Sequence, residues 1–164
     1  MKKNLSVAAL GSLLMIIVMR FQGGTLKTKD SPRGIIDLEF ADTPQRLHEL
    51  LSRWDISVVK MNIWLDFLFI VSYVLFLSIA AELCAEKWPE ASVPRKAGLF
   101  FAKIAYVAGI LDIAENLLML QSIQGNYTNI SLQLTFYCAA TKFVLAALII
   151  VYLVASIPFV IRKK

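Results

Sequence analysis

The chain has only two cysteines and one histidine among its 164 residues. Cys84 is near the C-terminal end of one apolar segment, and Cys138 is about two turns inside the N-terminal end of another that should cross in the same direction. At about 1.5 Å of rise per residue they are more than roughly 10 Å apart in height, beyond disulfide reach. A disulfide redox enzyme needs a close pair such as C-x-x-C and is disfavoured, so both thiols read as small packing residues. Zinc, haem and di-metal bundle sites need several His, Cys or carboxylate ligands at matched spacing. His48 alone cannot supply such a set, so no metal and no cofactor are expected.

Charge is also scarce. Charged residues make up 18% of the chain against 58% hydrophobic residues, and the mean hydropathy is +0.66. A soluble domain of this size would be less apolar. The net charge of +5 comes from basic residues scattered through loops and ends, without a long basic run or a recognition motif, which argues against a nucleic-acid partner. No nucleophile motif or cofactor fingerprint is present, so catalytic residues stay unassigned and an enzyme is the less favoured reading.

What the chain does have is four long apolar stretches, at about Leu5–Phe21, Met61–Cys84, Ala97–Ile123 and Ile130–Val160. A helix needs about 20 apolar residues to cross the hydrocarbon core, and a spanning segment must satisfy its own backbone hydrogen bonds. The expected fold is an all-α membrane protein: a single domain over residues 1–164, built as a four-helix bundle with an outer cap at residues 22–60. Lys2 and Lys3 before the first stretch resemble the start of a signal peptide. However, no small-x-small cleavage site follows and Arg20 interrupts the place for one, so a retained helix is expected.

Lys2 and Lys3, then Lys87, Arg95 and Lys96, then Arg162, Lys163 and Lys164 lie at three ends or connections, while Gln121 to Ser131 carries no charge. The positive-inside rule then places both termini and the connection around Trp88 in the cytoplasm. The stretch from Arg20 to Lys60, with seven basic residues against six acidic ones, dilutes this bias without reversing it.

Within the cap, Thr25–Lys29 and Gly34–Phe40 have extended character, with Ile36, Leu38 and Phe40 alternating against Asp37 and Glu39. The turn signal Asp30-Ser31-Pro32-Arg33-Gly34 between them predicts a short β-hairpin. Next, Thr43 as N-cap and Pro44 at the first helical position open an amphipathic helix of about four turns. Its stripe is Leu47, Leu50, Leu51, Trp54 and Val58, with Trp54 as an interfacial anchor. His48 lies on its polar side. Asn126-Tyr127-Thr128 and Asn129-Ile130-Ser131 match the glycosylation pattern but read as turn and cap formers close to the bilayer.

The most telling residues are polar ones inside the apolar stretches, where an ionisable group costs a few kcal/mol or more (about 2.5–3.5 on insertion scales) and marks a functional hypothesis. Asn62, Asp66 and Tyr73 share a face of the second span. Asp112 and Asn116 are i and i+4 on the third, with Glu115 beside them. Thr135, Cys138, Lys142 and Ala146 form a stripe on the fourth. The depths of these residues overlap, so Asp66, Tyr73, Asp112, Glu115, Asn116 and Lys142 are expected to form one polar cluster that binds a ligand. One lysine cannot neutralise three carboxylates, so at least one carboxyl is expected to hold a proton. A hydrogen-bonded network that only fixes helix packing is the plain alternative. Ala105, Ala108 and Gly109 offer a small-residue face for close contact, within the bundle or between subunits.

The segment P-R-G-I-I-D-L-E-F-A, an amphipathic helix ending in Trp54, then N-I-W-L-D-F-L-F-I-V-S-Y-V-L-F and L-D-I-A-E-N-L-L-M-L together resemble uncharacterised small bacterial four-span inner-membrane proteins, over nearly the whole chain. The resemblance implies a bacterial inner membrane and supplies no activity. The functional expectation is therefore a pocket for a lipid headgroup or small amphiphile, with membrane lipid as partner. The alternatives are an accessory subunit of a larger membrane complex or a homo-oligomer and, behind these, an intramembrane acid/base enzyme or proton-coupled transporter.

Overall fold

The computed structural model describes residues 2–162, and among the described residues it contains helices and no strand. In chain order the helices are α1 (Lys2–Gln22), α2 (Ile35–Glu39), α3 (Pro44–Leu51), α4 (Ile56–Ala85), α5 (Val93–Ser122) and α6 (Asn129–Arg162), with a 3-10 turn at Gly24–Leu26. Four of them are long and apolar enough to cross a membrane, over Lys3–Gln22, Ile56–Ala85, Val93–Ser122 and Asn129–Phe159. The chain is thus a multi-pass membrane protein built as a helix bundle. Lys163 and Lys164, two of the basic residues behind the expected orientation, lie outside the described residues.

Helix α4 is the centre of the bundle. It packs against α1 on one side and α5 on the other, while α6 packs on α5 and touches α4. The close approach of α4 and α5 follows from small residues. Ala102, Ala105, Ala108 and Gly109 are all buried, and a Cβ on Gly109 would lie 2.6 Å from Val74 Cγ2. This small-residue face is therefore used inside the bundle. Ala8, Gly11 and Ser12 do the same for α1, and Ser12 Oγ donates to its own helix at Ala8 O (2.9 Å), which satisfies that hydroxyl in apolar surroundings.

The cap departs from expectation in two places. The β-hairpin does not form. Its second arm is helix α2, entered through Gly34 at a φ of 66°, a left-handed conformation suited to glycine. The Asp37 carboxylate holds this helix start, accepting from the Arg33 backbone N–H (2.8 Å) and from Arg33 Nε (2.9 Å). Five residues of apolar and acidic alternation suit a strand or a short helix equally, and here the side-chain capping and the packing of Leu38 decide for the helix. The first arm is the 3-10 turn followed by a loop in which Ser31 Oγ donates to Leu26 O (2.8 Å).

The amphipathic helix is also shorter than expected. Thr43 does cap it, accepting from the Arg46 N–H at 3.3 Å, but the helix ends at Leu51. Asp55 then starts α4 by accepting from Ser57 N–H (2.8 Å) and Ser57 Oγ (2.7 Å), so Val58 belongs to the next helix. Those same bonds hold the Asp55 carboxyl below its ordinary value. Trp54 is not an interfacial anchor. It is buried with Leu26, Leu38, Ala41, Leu47 and Leu50 against Val59 and Ile63 of α4, Met119 of α5 and Leu132 of α6. The cap is thus a plug seated on the helix ends. Each large apolar side chain buried there contributes on the order of 1.5–3 kcal/mol relative to exposure.

Candidate functional site

The six residues singled out from the sequence come together. Lys142 Nζ, on α6, lies 2.5 Å from Asp112 Oδ1 and 2.9 Å from Glu115 Oε2, both on α5. Tyr73 on α4 donates its hydroxyl to Asp112 Oδ2 (2.8 Å), and Asn116 on α5 donates from Nδ2 to Asp66 Oδ2 on α4 (2.7 Å). Three helices thus share one polar network at the depth where the sequence placed their polar residues. Glu115 and Asn116 are almost wholly buried, Asp112 and Lys142 nearly so, and Asp66 and Tyr73 are half-buried.

A seventh member comes from the cap. Glu39, the last residue of α2, is buried, and its Oε2 lies 3.4 Å from Lys142 Nζ. Burial pushes its carboxyl above the ordinary value; the Lys142 ammonium pulls it down, and Asp112 pushes it up again. The expected hairpin put Glu39 with Asp37 on the face opposite Ile36, Leu38 and Phe40. No local feature of the sequence marks it as a partner of Lys142, because the pairing exists only once the cap is seated.

Asn62, expected to share a face of α4 with Asp66 and Tyr73, stands apart from the network. It sits on the predicted face of α4 but turns to α1, donating from Nδ2 to Gln22 Oε1 (2.7 Å) and, more weakly, to Met19 O (3.4 Å). Gln22 in turn donates from Nε2 to Val58 O (2.9 Å). This exchange fastens the end of α1 to α4. Cys138 and Thr135 flank Lys142 on the buried side of α6, and the Thr135 hydroxyl is spent on Ser131 O (3.0 Å). His48 is exposed on α3. Among the described residues no group of three or more His, Cys, Asp or Glu side chains is placed to hold a metal ion.

The network borders a cavity of about 410 Å³. Its floor is α4 from Asp66 to Leu77, its sides are Ser12, Ile16 and Met19 of α1 and Lys142, Phe143, Ala146 and Ile150 of α6, and its roof is Ile35, Ile36 and Glu39 of α2. Asp112 completes the polar end. One end of the cavity is therefore charged and hydrogen-bonding, and the rest is apolar. The three N–H groups of the Lys142 ammonium face three carboxylates. Asp66 accepts only at Oδ2 among the described residues, and no protein donor reaches its Oδ1. The polar end is consequently rich in acceptors, and it favours a ligand group that donates hydrogen bonds or carries positive charge.

Compared with protein-family models, with curated proteins and with solved structures, the chain matches none.

Proposed function

We propose that this chain is a bacterial inner-membrane protein that holds a lipid headgroup or small amphiphile in the cavity between α1, α4 and α6. Both termini and the α4–α5 connection would lie in the cytoplasm and the cap outside. The observation that carries the reading is the two-ended cavity: charged Glu39, Asp66, Asp112 and Lys142 at one end, and apolar side chains of α1, α4 and α6 along the rest. Concave sites lined mainly by apolar groups, with a few placed polar ones, are the usual form of small-molecule pockets. Lys87, Arg95 and Lys96 around the α4–α5 connection support the orientation. An acyl chain would lie against the apolar walls, and a hydroxyl or amine beside it would donate to Asp66 and Glu39.

The test is native mass spectrometry of the protein extracted from its own membranes. A recurrent bound lipid or amphiphile is expected on the wild type and depleted on Asp66→Asn, whose side chain keeps its size and loses its charge. Wild-type protein that comes off folded and bare counts against the reading.

A packing network is the second reading, favoured by the fact that Lys142 meets carboxylates of the chain itself. It predicts lost thermal stability in variants of the cluster with no change in bound molecules. The small-residue face of α5 and the apolar stripe of α3, the surfaces an accessory subunit was expected to offer a partner, are covered within the chain.

A further inference from the structure

Directly beside the pocket lies a second hollow, of about 230 Å³, whose polar lining has the opposite charge. Arg20 from the last turn of α1, Lys27 from the loop after the 3-10 turn, and Arg33 from the approach to α2 all border it. The two hollows share the side chains of Ile16, Met19, Ile35 and Ile36, so they adjoin along the same stretch of α1 and the same face of α2. Gly23 and Gly34 add backbone with no side chain to the lining.

Arg33 is paired with Asp37, whereas the other two cations are not spent elsewhere. Within the cap, Asp37 pairs with Arg33, Asp30 with Arg53 and Glu49 with Arg46, while Glu39 is committed to Lys142. Arg20 and Lys27 are exposed and have no carboxylate partner among the described residues. Basic residues beside a span on the non-cytoplasmic side also work against the positive-inside bias, which gives these two no topogenic role on that side. Two unpaired cations at the rim of a hollow that adjoins an acceptor-rich, apolar pocket form a receptor for an anion carried at the head of an amphiphile.

We propose that Arg20 and Lys27, with Arg33 beside them, bind the phosphate of an amphiphile whose acyl chain lies in the neighbouring pocket. The ligand class is thereby narrowed from amphiphiles in general to phosphate-bearing single-chain or two-chain lipids. This inference rests on the pocket reading above. Geometry supports the division of labour. Arg20 stands at the cap end of α1, and the apolar wall continues down that helix from Met19 to Ser12, about 10 Å at 1.5 Å per residue, which accommodates roughly eight methylenes. The shared chemistry is a phosphate group, whether on a lipid or free in solution.

The experiment is a native mass spectrometry competition on the full chain in a neutral detergent. The probes are lysophosphatidic acid, a monoacylglycerol with the same acyl chain, and inorganic phosphate. Wild type is expected to retain lysophosphatidic acid over monoacylglycerol by roughly ten-fold. Arg20→Gln with Lys27→Gln should bring that ratio to about one, with monoacylglycerol retention unchanged. Both side chains are exposed, so the variant should fold. The pair Lys29→Gln with Lys60→Gln removes two cations that do not border the hollow and should leave the preference intact. An equal loss in that control pair would trace the preference to overall charge and overturn the site. Equal retention of the two lipids by wild type overturns the phosphate site and leaves the pocket standing. Retention of neither overturns the pocket as well. Displacement of lysophosphatidic acid by equimolar inorganic phosphate would mean a site for free phosphate, and would overturn the lipid assignment.

Discussion

The Glu39 carboxylate lies 3.4 Å from the Lys142 ammonium, and among the described residues this is the ion pair that joins the cap to the spanning helices. Seating of the cap and the charge of the pocket are therefore coupled. Asp112 and Glu115 of α5 face the same ammonium. Because burial raises the Glu39 carboxyl above its ordinary value of 4.5, the folded chain binds this proton more tightly than the unfolded chain. Its contribution to stability is greatest below that value and declines as pH rises above it. Thermal unfolding in detergent from about pH 4 to about pH 8 should show Glu39→Gln gaining on the wild type as pH increases. A difference that does not vary with pH contradicts this account of Glu39.

Removing the cation should be costly. Lys142→Met leaves Glu39, Asp112 and Glu115 facing one another in a buried site, a change that typically costs about 3–5 kcal/mol. The double variant Lys142→Met with Glu115→Gln should recover part of that loss, since one carboxylate goes with the ammonium. Denaturant unfolding of the four proteins in the cycle measures it. Losses that simply add would mean that the 2.9 Å contact between Lys142 and Glu115 carries no coupling.

Gly109→Ala should destabilise by about 1–3 kcal/mol, because the new Cβ would be 2.6 Å from Val74 Cγ2 and α4 would have to move away from α5. Val74→Ala removes that methyl. Combining the two should therefore cost less than the sum of the single changes, read as midpoints of thermal unfolding.

Asn62→Leu removes the donor to Gln22 Oε1 and should loosen the end of α1 by about 1 kcal/mol, the usual scale of a hydrogen bond between spanning helices. Faster hydrogen exchange around Met19 to Gly23, with exchange in α5 unchanged, is the expected result. Uniform acceleration across all helices would mean that Asn62 supports the whole bundle and not α1 in particular.

Much of the polar network was legible because hydrocarbon offers charged side chains no partner other than one another. Depth along each span, together with helical periodicity, was enough to group Asp66, Tyr73, Asp112, Glu115, Asn116 and Lys142. Asn62 has the periodicity of that group but lies nearer the end of α4, where Gln22 of α1 is closer to hand. Periodicity assigns a face and cannot say which neighbour covers each height of it.

The cap was less legible for a different reason. Its segments are short, and over five residues an alternation of Ile36, Leu38 and Phe40 with Asp37 and Glu39 does not separate strand from helix. Trp54 likewise reads as an interface residue until Leu47, Leu50 and the ends of α4, α5 and α6 enclose it.

The sequence by itself determined that four helices are long and apolar enough to cross a membrane and that their buried charges must meet, because both follow from the cost of exposing polar groups to hydrocarbon. Only the tertiary structure decided that Glu39 enters the network, that α1 and α6 stand on either side of a cavity, and that Arg20 and Lys27 border the hollow next to it. Those relationships depend on how a folded cap seats against helix ends far away in the chain, a packing choice that no local pattern of residues encodes.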